Sequence, residues 1–347
     1  MQKYNNQIAN WLMLGAVMVL LMVIIGGITR LTHSGLSIVT WQPIKGVLPP
    51  MNEAQWQQAF DAYKQIPEYQ KVHHYFTLQD FKQIFFWEYT HRMLGRLIGI
   101  VFFVPFVFFW LTGRIRNKKL LRRLLLIFAL GGLQGFAGWY MVKSGLVENT
   151  SVDHLRLALH MFVALIVLTS IVWTVFELKW QNQVVVRSPK VYKFLMGIWL
   201  LLIIQIVYGG FTAGLKAGHV FPTYPKMGQK WFPDFAKQVF HTDGWSSLIN
   251  FPATVQFIHR WLGFVILLIA LYFYVKVRKQ MQSDKLKTIL GLFILLISLQ
   301  YTFGVLVILF KVPVSLAVTH QVTAFILYLS VLAGLYVSSG YQSRLRV

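Results

Sequence analysis

The sequence predicts an all-α polytopic membrane protein whose eight transmembrane helices form two pseudo-symmetric four-helix bundles. Three observations predict it. Of the 347 residues 56% are hydrophobic and only 13% charged, a balance that no soluble domain shows. The apolar residues gather into eight runs, each long enough to cross a bilayer. The motifs of the first four runs recur, in order, in the last four.

The first run, roughly 11–29, begins after Lys3 without a cleavable small-residue site, so it reads as a retained span and not as a signal or transit peptide. A connector of about 57 residues follows, roughly 30–86. Within it Trp56, Phe60 and Tyr63 recur at helical spacing, which predicts an amphipathic helix over Asn52 to Tyr63 that ends before Pro67. Thr77-Leu-Gln-Asp80 resembles a capping box with Asp in the third helical position, and predicts a helix running straight into the second span, 87–111. The next spans are 120–142, 155–176 and 193–214. A second long connector, roughly 215–254, is rich in Gly, Pro and aromatics. The last spans are 255–276, 286–309 and 314–338. Both long connectors read as lids lying on the membrane surface.

An even number of spans puts both termini on one side. Arg114, Arg116, Lys118, Lys119, Arg122 and Arg123 crowd the second connector. Lys179, Arg187, Lys190 and Lys193 crowd the fourth, and Lys276, Arg278, Lys279, Lys285 and Lys287 the sixth. These connectors and both termini are expected on the cytoplasmic side, and the long loops outside. The formal charge of +22 is thus accounted for by topology, and no basic groove interleaved with aromatics points to nucleic acid. With no cysteine, disulfides, thiolate ligands and thiol nucleophiles are excluded, and a metal would be held by His, Met or carboxylate.

The duplication is read from matched motifs. Gly26-Gly-Ile-Thr29 recurs as Gly209-Gly-Phe-Thr212, and His91-Arg-Met-Leu-Gly95 as His259-Arg-Trp-Leu-Gly263. Leu133-Gln134 with Gly138 recurs as Leu299-Gln300 with Gly304, and His160 with Ala164 as His320 with Ala324. The offsets are 183, 168, 166 and 160 residues. They predict two units, 1–180 and 181–347, inserted the same way up about an axis along the membrane normal.

Four of the ten histidines, His91, His160, His259 and His320, lie inside spans close to the outer end, two per unit. Within each unit they come from the second and fourth spans. Imidazoles from two facing helices, without a cysteine or carboxylate repeated beside them, suit the axial positions of haem iron better than tetrahedral zinc. Arg92, Arg96, Arg156 and Arg260 near the outer surface suit haem propionates. Gly131, Gly135 and Gly138 would let a flat macrocycle approach the backbone, or two helices pack closely. His33, His73, His74, His154, His219 and His241 read as solvated loop residues.

With these residues in view, the chain resembles the haem A synthase family over essentially its whole length. The resemblance rests on Gly26-Gly-Ile-Thr-Arg-Leu-Thr-His-Ser-Gly35, Trp41-Gln-Pro43, Pro49-Pro50, Phe81-Lys-Gln-Ile-Phe85, Glu88-Tyr-Thr-His-Arg92 and the four span histidines. It is similar to the cysteine-free proteobacterial and mitochondrial branch. The resemblance implies an oxidoreductase of the bacterial inner membrane that converts the C8 methyl of haem O to a formyl group by successive hydroxylations, giving haem A for terminal oxidases. It implies that His91 and His160 sit at the substrate haem in the N-terminal unit, and that His259 and His320 ligate a haem b in the C-terminal unit. The implied partners are haem O, the lipid bilayer, an electron donor, haem O synthase and the assembly factors of the terminal oxidase. One asymmetry stands in the sequence itself: Glu88 lies one turn before His91, whereas Gln256 takes that place before His259. A carboxylate serves proton removal or stabilises positive charge, so the chemistry is expected beside Glu88. The competing reading is a dihaem b-type electron-transfer cytochrome, which should carry haems near both faces of the bilayer.

Overall fold

The computed structural model describes residues 2–40, 45–147, 149–180, 188–281 and 283–340. The Trp41-Gln-Pro43 motif and Arg187 lie outside the described residues. Among these residues the secondary structure is helical, and eight helices are long and apolar enough to cross a membrane. They are α1 (Gln2–Leu31), α3 (Leu78–Leu111), α4 (Lys118–Val147), α5 (His154–Lys179), α6 (Pro189–Gly214), α9 (Pro252–Val277), α10 (Asp284–Leu309) and α11 (Val314–Ser338). The remaining three are α2 (Glu53–Tyr63), α7 (Asp234–Asp243) and α8 (Ser247–Asn250), all in the two long connectors. Number and order are those expected, and the protein is a multi-pass membrane protein.

Local sequence sets where the helices begin. The Thr77 side chain accepts from Asp80 N while the Asp80 carboxylate accepts from Thr77 N, so the capping box forms and α3 runs unbroken for 34 residues. Asp153 and Ser283 cap α5 and α10, and Pro189 and Pro252 stand at the start of α6 and α9, where a missing N–H costs nothing. Asn52 caps α2, whose Phe60 and Tyr63 turn inward.

Packing then sorts the spans. Helix α1 lies against α3 and α5, and α4 against α5; α6 lies against α9 and α11, and α10 against α11. The two quartets meet through α5 on α6 and α11 on α1. Small residues allow the close approaches. Gly210 of α6 faces Ala158 of α5, and Gly214 faces His154, where an added Cβ would come within 2.6 Å of backbone. Thr169 and Tyr328 share a hydrogen bond of 2.7 Å between α5 and α11, and the Gln321 amide donates to the Val23 carbonyl between α11 and α1. More than half of the α5 span is buried, against 11% of α3 and α4 and 17% of α9 and α10. The central helices are therefore α5, α11 and α1, and the outer ones present apolar faces to lipid.

Among its described residues, the 32–77 connector packs as a folded lid around a small core that it shares with the start of α3. Leu36, Phe60, Tyr63, Ile66, Phe81 and Phe85 are buried together under Trp56. The 215–251 connector forms a second lid around Met227, Ala236 and Ala253.

Candidate functional site: four histidines at the lid end

All four span histidines stand at the lid end of the bundle, each with its ring edge against a glycine of a neighbouring helix. A Cβ on Gly26 would come 3.0 Å from His91 Cε1, and one on Gly138 3.1 Å from His160 Cε1. The same holds for Gly209 with His259 at 3.3 Å and Gly304 with His320 at 2.9 Å. Each ring can sit this close only because the facing residue has no side chain. The glycine pairs Gly26/Gly209 and Gly138/Gly304 of the sequence repeat are thus the seats of the histidines. Gly131 and Gly135 have another role: nothing lies within 4 Å of either, so that face of α4 is open rather than packed against a helix.

The C-terminal pair comes together. The ring centres of His259 and His320 are 6.4 Å apart with their planes at 88°. Imidazole nitrogens on opposite sides of one metal, each about 2 Å from it and about 1 Å from its own ring centre, would put the centres about 6 Å apart. The donor set also fits haem. Among the described residues no group of three or more His, Asp or Glu side chains could hold a metal, and two histidines are what a macrocycle with four nitrogens of its own leaves to the protein. The His320 Nδ1 lies 3.1 Å from the Gln300 backbone carbonyl, which holds the ring, and the Gln300 side-chain amide nitrogen lies 3.4 Å from its Nε2. His91 Nδ1 is buried without a hydrogen-bond partner.

Glu88 is buried at 3% exposure and fully engaged. Its Oε1 accepts from Arg92 Nη2 at 2.6 Å, and its Oε2 accepts from Ser37 Oγ and Ile38 N, both at 2.7 Å. Arg92 also donates to the carbonyls of Ile38 and Thr40. The pair therefore clamps the start of the first lid onto α3, one turn from His91. The second half repeats the clamp with different chemistry: Arg260 donates to the carbonyls of Phe221 and Thr223, and Gln256 Nε2 to Phe221.

The four arginines expected at propionates are held in three different ways. Arg92 and Arg260 grip lid carbonyls. Arg156 donates to the Tyr140 carbonyl and lies 4.0 Å over the Tyr140 ring. Arg96 reaches Met93 Sδ at 3.7 Å.

The loop histidines do not all behave as solvated surface groups. His73 is buried at 5% and stacks on Phe76. Its Nδ1 is 2.7 Å from Tyr63 Oη, which is 3.2 Å from Glu68 Oε2. His33 Nδ1 stands 3.9 Å from the other Glu68 oxygen. Burial pushes the Glu68 carboxyl up to about 7, and Glu88 nearby adds to the rise. Burial also holds His73 down to about 4 and lowers His33, with His33 and Lys216 adding to the fall at His73. Near neutral pH the histidines carry no charge, so this is a polar cluster and not an ion pair. Tyr63 has one proton for two acceptors, and a proton on Glu68 completes the chain to His73. Sequence reasoning missed this cluster because its members are spread from 33 to 73. Only Tyr63 carried a signal, as part of the helical spacing of Trp56, Phe60 and Tyr63.

Comparison with known proteins completes the picture. The model of the family described as "Cytochrome oxidase assembly protein" matches residues 9–332. The chain is 38% identical over 333 residues to a haem A synthase of Flavobacterium johnsoniae, covering 94% of this chain and 96% of that protein. It is 42% identical over 316 residues to a haem A synthase of Bradyrhizobium diazoefficiens, covering 90% and 86%. A haem A synthase of Rhizorhabdus wittichii is 40% identical over 328 residues, covering 94% and 92%. With the glycine seats and the four histidines all inside the matched stretch, the chain belongs to the cytochrome oxidase assembly protein family, alongside the haem A synthases.

Proposed function

We propose that this chain is a haem A synthase that oxidises the C8 methyl group of haem O to the formyl group of haem A. Two hydroxylations each replace a hydrogen of the methyl group by hydroxyl, and the resulting gem-diol loses water. The observation that carries the reading is the set of four histidines seated on four glycines at one end of a chain similar throughout to haem A synthases. The N-terminal unit, 1–180, holds the substrate at His91 and His160. The C-terminal unit, 181–347, holds a haem b at His259 and His320. When bound, haem b supplies one-electron redox chemistry next to the substrate site.

The chain's own groups do the rest. The Gly seats fix the ring positions, and the clamp of Glu88 and Arg92 holds Ser37 to Thr40 over the site and excludes water. Three donors around Glu88 suit an anionic carboxylate. Its contribution is therefore the stabilisation of positive charge developing at the substrate. The open flank of α4 at Gly131 and Gly135 admits the macrocycle from the bilayer. Arg96 and Arg156 serve the propionates, while Arg92 and Arg260 serve them only through the lids they grip.

The location that fits is the bacterial inner membrane, with both termini and the cationic connectors in the cytoplasm and the lids outside. Haem O synthase, an electron donor and oxidase assembly factors are the partners this placement calls for. A dihaem electron-transfer cytochrome fits less well, because all four histidines sit at one end and leave the other half of the bilayer unbridged. Extraction of pigments from membranes with and without this chain, followed by mass analysis, tests the proposal. Haem A is expected only with the chain present; haem b and haem O alone would overturn it.

A further inference from the structure

Taking the haem sites as proposed above, we infer that Tyr301 is a latch: with Phe264 and Tyr224 it shuts the outer flank of the C-terminal site and makes the haem there resident. Gly135, in the matching place, leaves the flank of the N-terminal site open for substrate to enter and product to leave.

The packing of the helices shows where a macrocycle can escape. Each quartet closes as a ring, α1, α3, α4 and α5 in one half and α6, α9, α10 and α11 in the other. The histidines stand on opposite members, α3 and α5 or α9 and α11, so the space between them is flanked by the remaining two helices. Of these, α1 and α6 are walled in, because α1 lies on α11 and α6 on α5. Helices α4 and α10 are outer helices, with 11% and 17% of their spans buried. A macrocycle held between the histidines of either half therefore reaches the bilayer past α4 or past α10.

On these two helices the stripe beside the histidine runs Gly131, Gly135, Gly138 in the first half and Ile297, Tyr301, Gly304 in the second, at a constant offset of 166. Spacings of four and three keep each stripe on one face. The last member is the histidine seat in both. The other two differ. Gly131 and Gly135 are exposed, and a Cβ on either would meet nothing within 4 Å. Ile297 is buried, and the Tyr301 ring lies 5.8 Å from that of Phe264 on α9, so the seam between α9 and α10 is filled. In the first half the place of Phe264 is taken by Arg96, 168 positions earlier. Neither member of the aromatic pair has a counterpart between α3 and α4.

The lids repeat the difference. Arg260 of α9 holds the carbonyls of Phe221 and Thr223, and Tyr301 of α10 shares a hydrogen bond with Tyr224, the next residue. The second lid is thus pinned on both sides of the α9–α10 seam. The first lid is pinned to α3 by Glu88 and Arg92, and it meets α4 through Leu36 beside Gly145. At 1.5 Å of rise per residue, Gly145 is about 15 Å further along the helix than Gly135, so that contact leaves the flank at Gly135 clear. Two histidines serve each half, and ligand number does not separate the sites. The flank does.

The test uses the full chain in detergent, loaded with haem O and haem b, with excess apomyoglobin as acceptor; the haem taken up is identified by mass. Wild type should give up haem O quickly and haem b slowly. Tyr301→Gly should hasten the loss of haem b about tenfold, the scale of one aromatic contact and one hydrogen bond. Tyr301→Phe keeps the ring and should stay near wild type. Leu295→Gly removes an exposed side chain from the same helix and should leave the rate as it is. In the reverse direction, Gly135→Tyr should slow both uptake and loss of haem O and leave haem b untouched. Haem b held as tightly by Tyr301→Gly as by wild type would overturn the latch. So would a loss from Tyr301→Gly no faster than that from Leu295→Gly or Tyr301→Phe. Where Tyr301→Gly does not accumulate as folded protein, Gly135→Tyr decides alone, and unchanged exchange of haem O in that variant overturns the proposal. A protein whose haem b content survives His259→Ala overturns the site assignment itself, and the haem content measured before the acceptor is added tells the two failures apart.

Discussion

At the scale of single residues, two buried carboxyls behave in opposite ways. Glu88 is surrounded by donors, and Glu68 by apolar rings and neutral polar groups. For Glu88→Gln, the oxygen that remains still accepts from Ser37 and Ile38, but the Arg92 pair is lost. Product formation should fall by about 10²-fold or more with the C-terminal haem retained, and haem O or its singly hydroxylated form should replace haem A in the extract. A normal rate would leave Glu88 only the clamp. Glu68 makes a prediction about pH. Its carboxyl, raised from 4.5 to about 7 in the fold, holds a proton that the unfolded chain gives up, so its contribution to stability is full below about 4.5 and lost as pH rises to 7. His73, lowered from 6.5 to about 4, does the reverse: its contribution is lost as pH falls from 6.5 to 4. The two slopes oppose one another in wild type. Glu68→Gln removes one of them, and the melting temperature in detergent should then rise more steeply with pH between 4 and 6.5 than it does in wild type.

At the scale of elements, each ligand depends on a helix other than its own. Gly304 on α10 seats His320 of α11, and Gly138 on α4 seats His160 of α5. A β-branched side chain at such a seat has no room unless the ring or the helix moves. Gly304→Val is therefore expected to lower the content of tightly bound haem, read from the reduced absorption spectrum, while Gly131→Val, where the space is open, should leave it unchanged. Retention of both haems in Gly304→Val would show that the seat is dispensable. At the other end of the bundle, Arg123 of α4 meets the buried Glu177 of α5 at 2.7 Å, and Trp173 donates to the same oxygen. This pair ties α4 to α5 far from the histidines, so the opening at Gly131 and Gly135 can exist without loosening the helix as a whole.

At the scale of the molecule, one bundle end carries the histidines and both lids, and the other the cationic connectors. Reporter fusions at 112–117 and 277–281 should report the cytoplasm, and fusions in the lids the opposite side. A connector found outside would reverse the placement of all four histidines. The spans, their order and the cap of α3 were legible because apolar runs and a capping box are local signals, complete within a few turns of chain. The closeness of His259 and His320 was legible for another reason: the motifs occur twice, and the second copy shows which residues travel together.

What the sequence determined by itself was the class of protein, the eight spans, the four histidines and the family. These rest on composition, on spacing and on the chain being compared with itself. Tertiary structure decided what each polar group meets. It set Glu88 against Ser37 and Ile38, drew Glu68, Tyr63 and His73 into one cluster, and turned Arg92 and Arg260 onto lid carbonyls. The physical reason is that hydrogen bonding is directional and short-ranged. Partners 51 positions apart along the chain, as Ser37 and Glu88 are, or 298 apart, as Val23 and Gln321 are, meet only when helices and lids are already packed, and no periodicity in the sequence encodes that meeting.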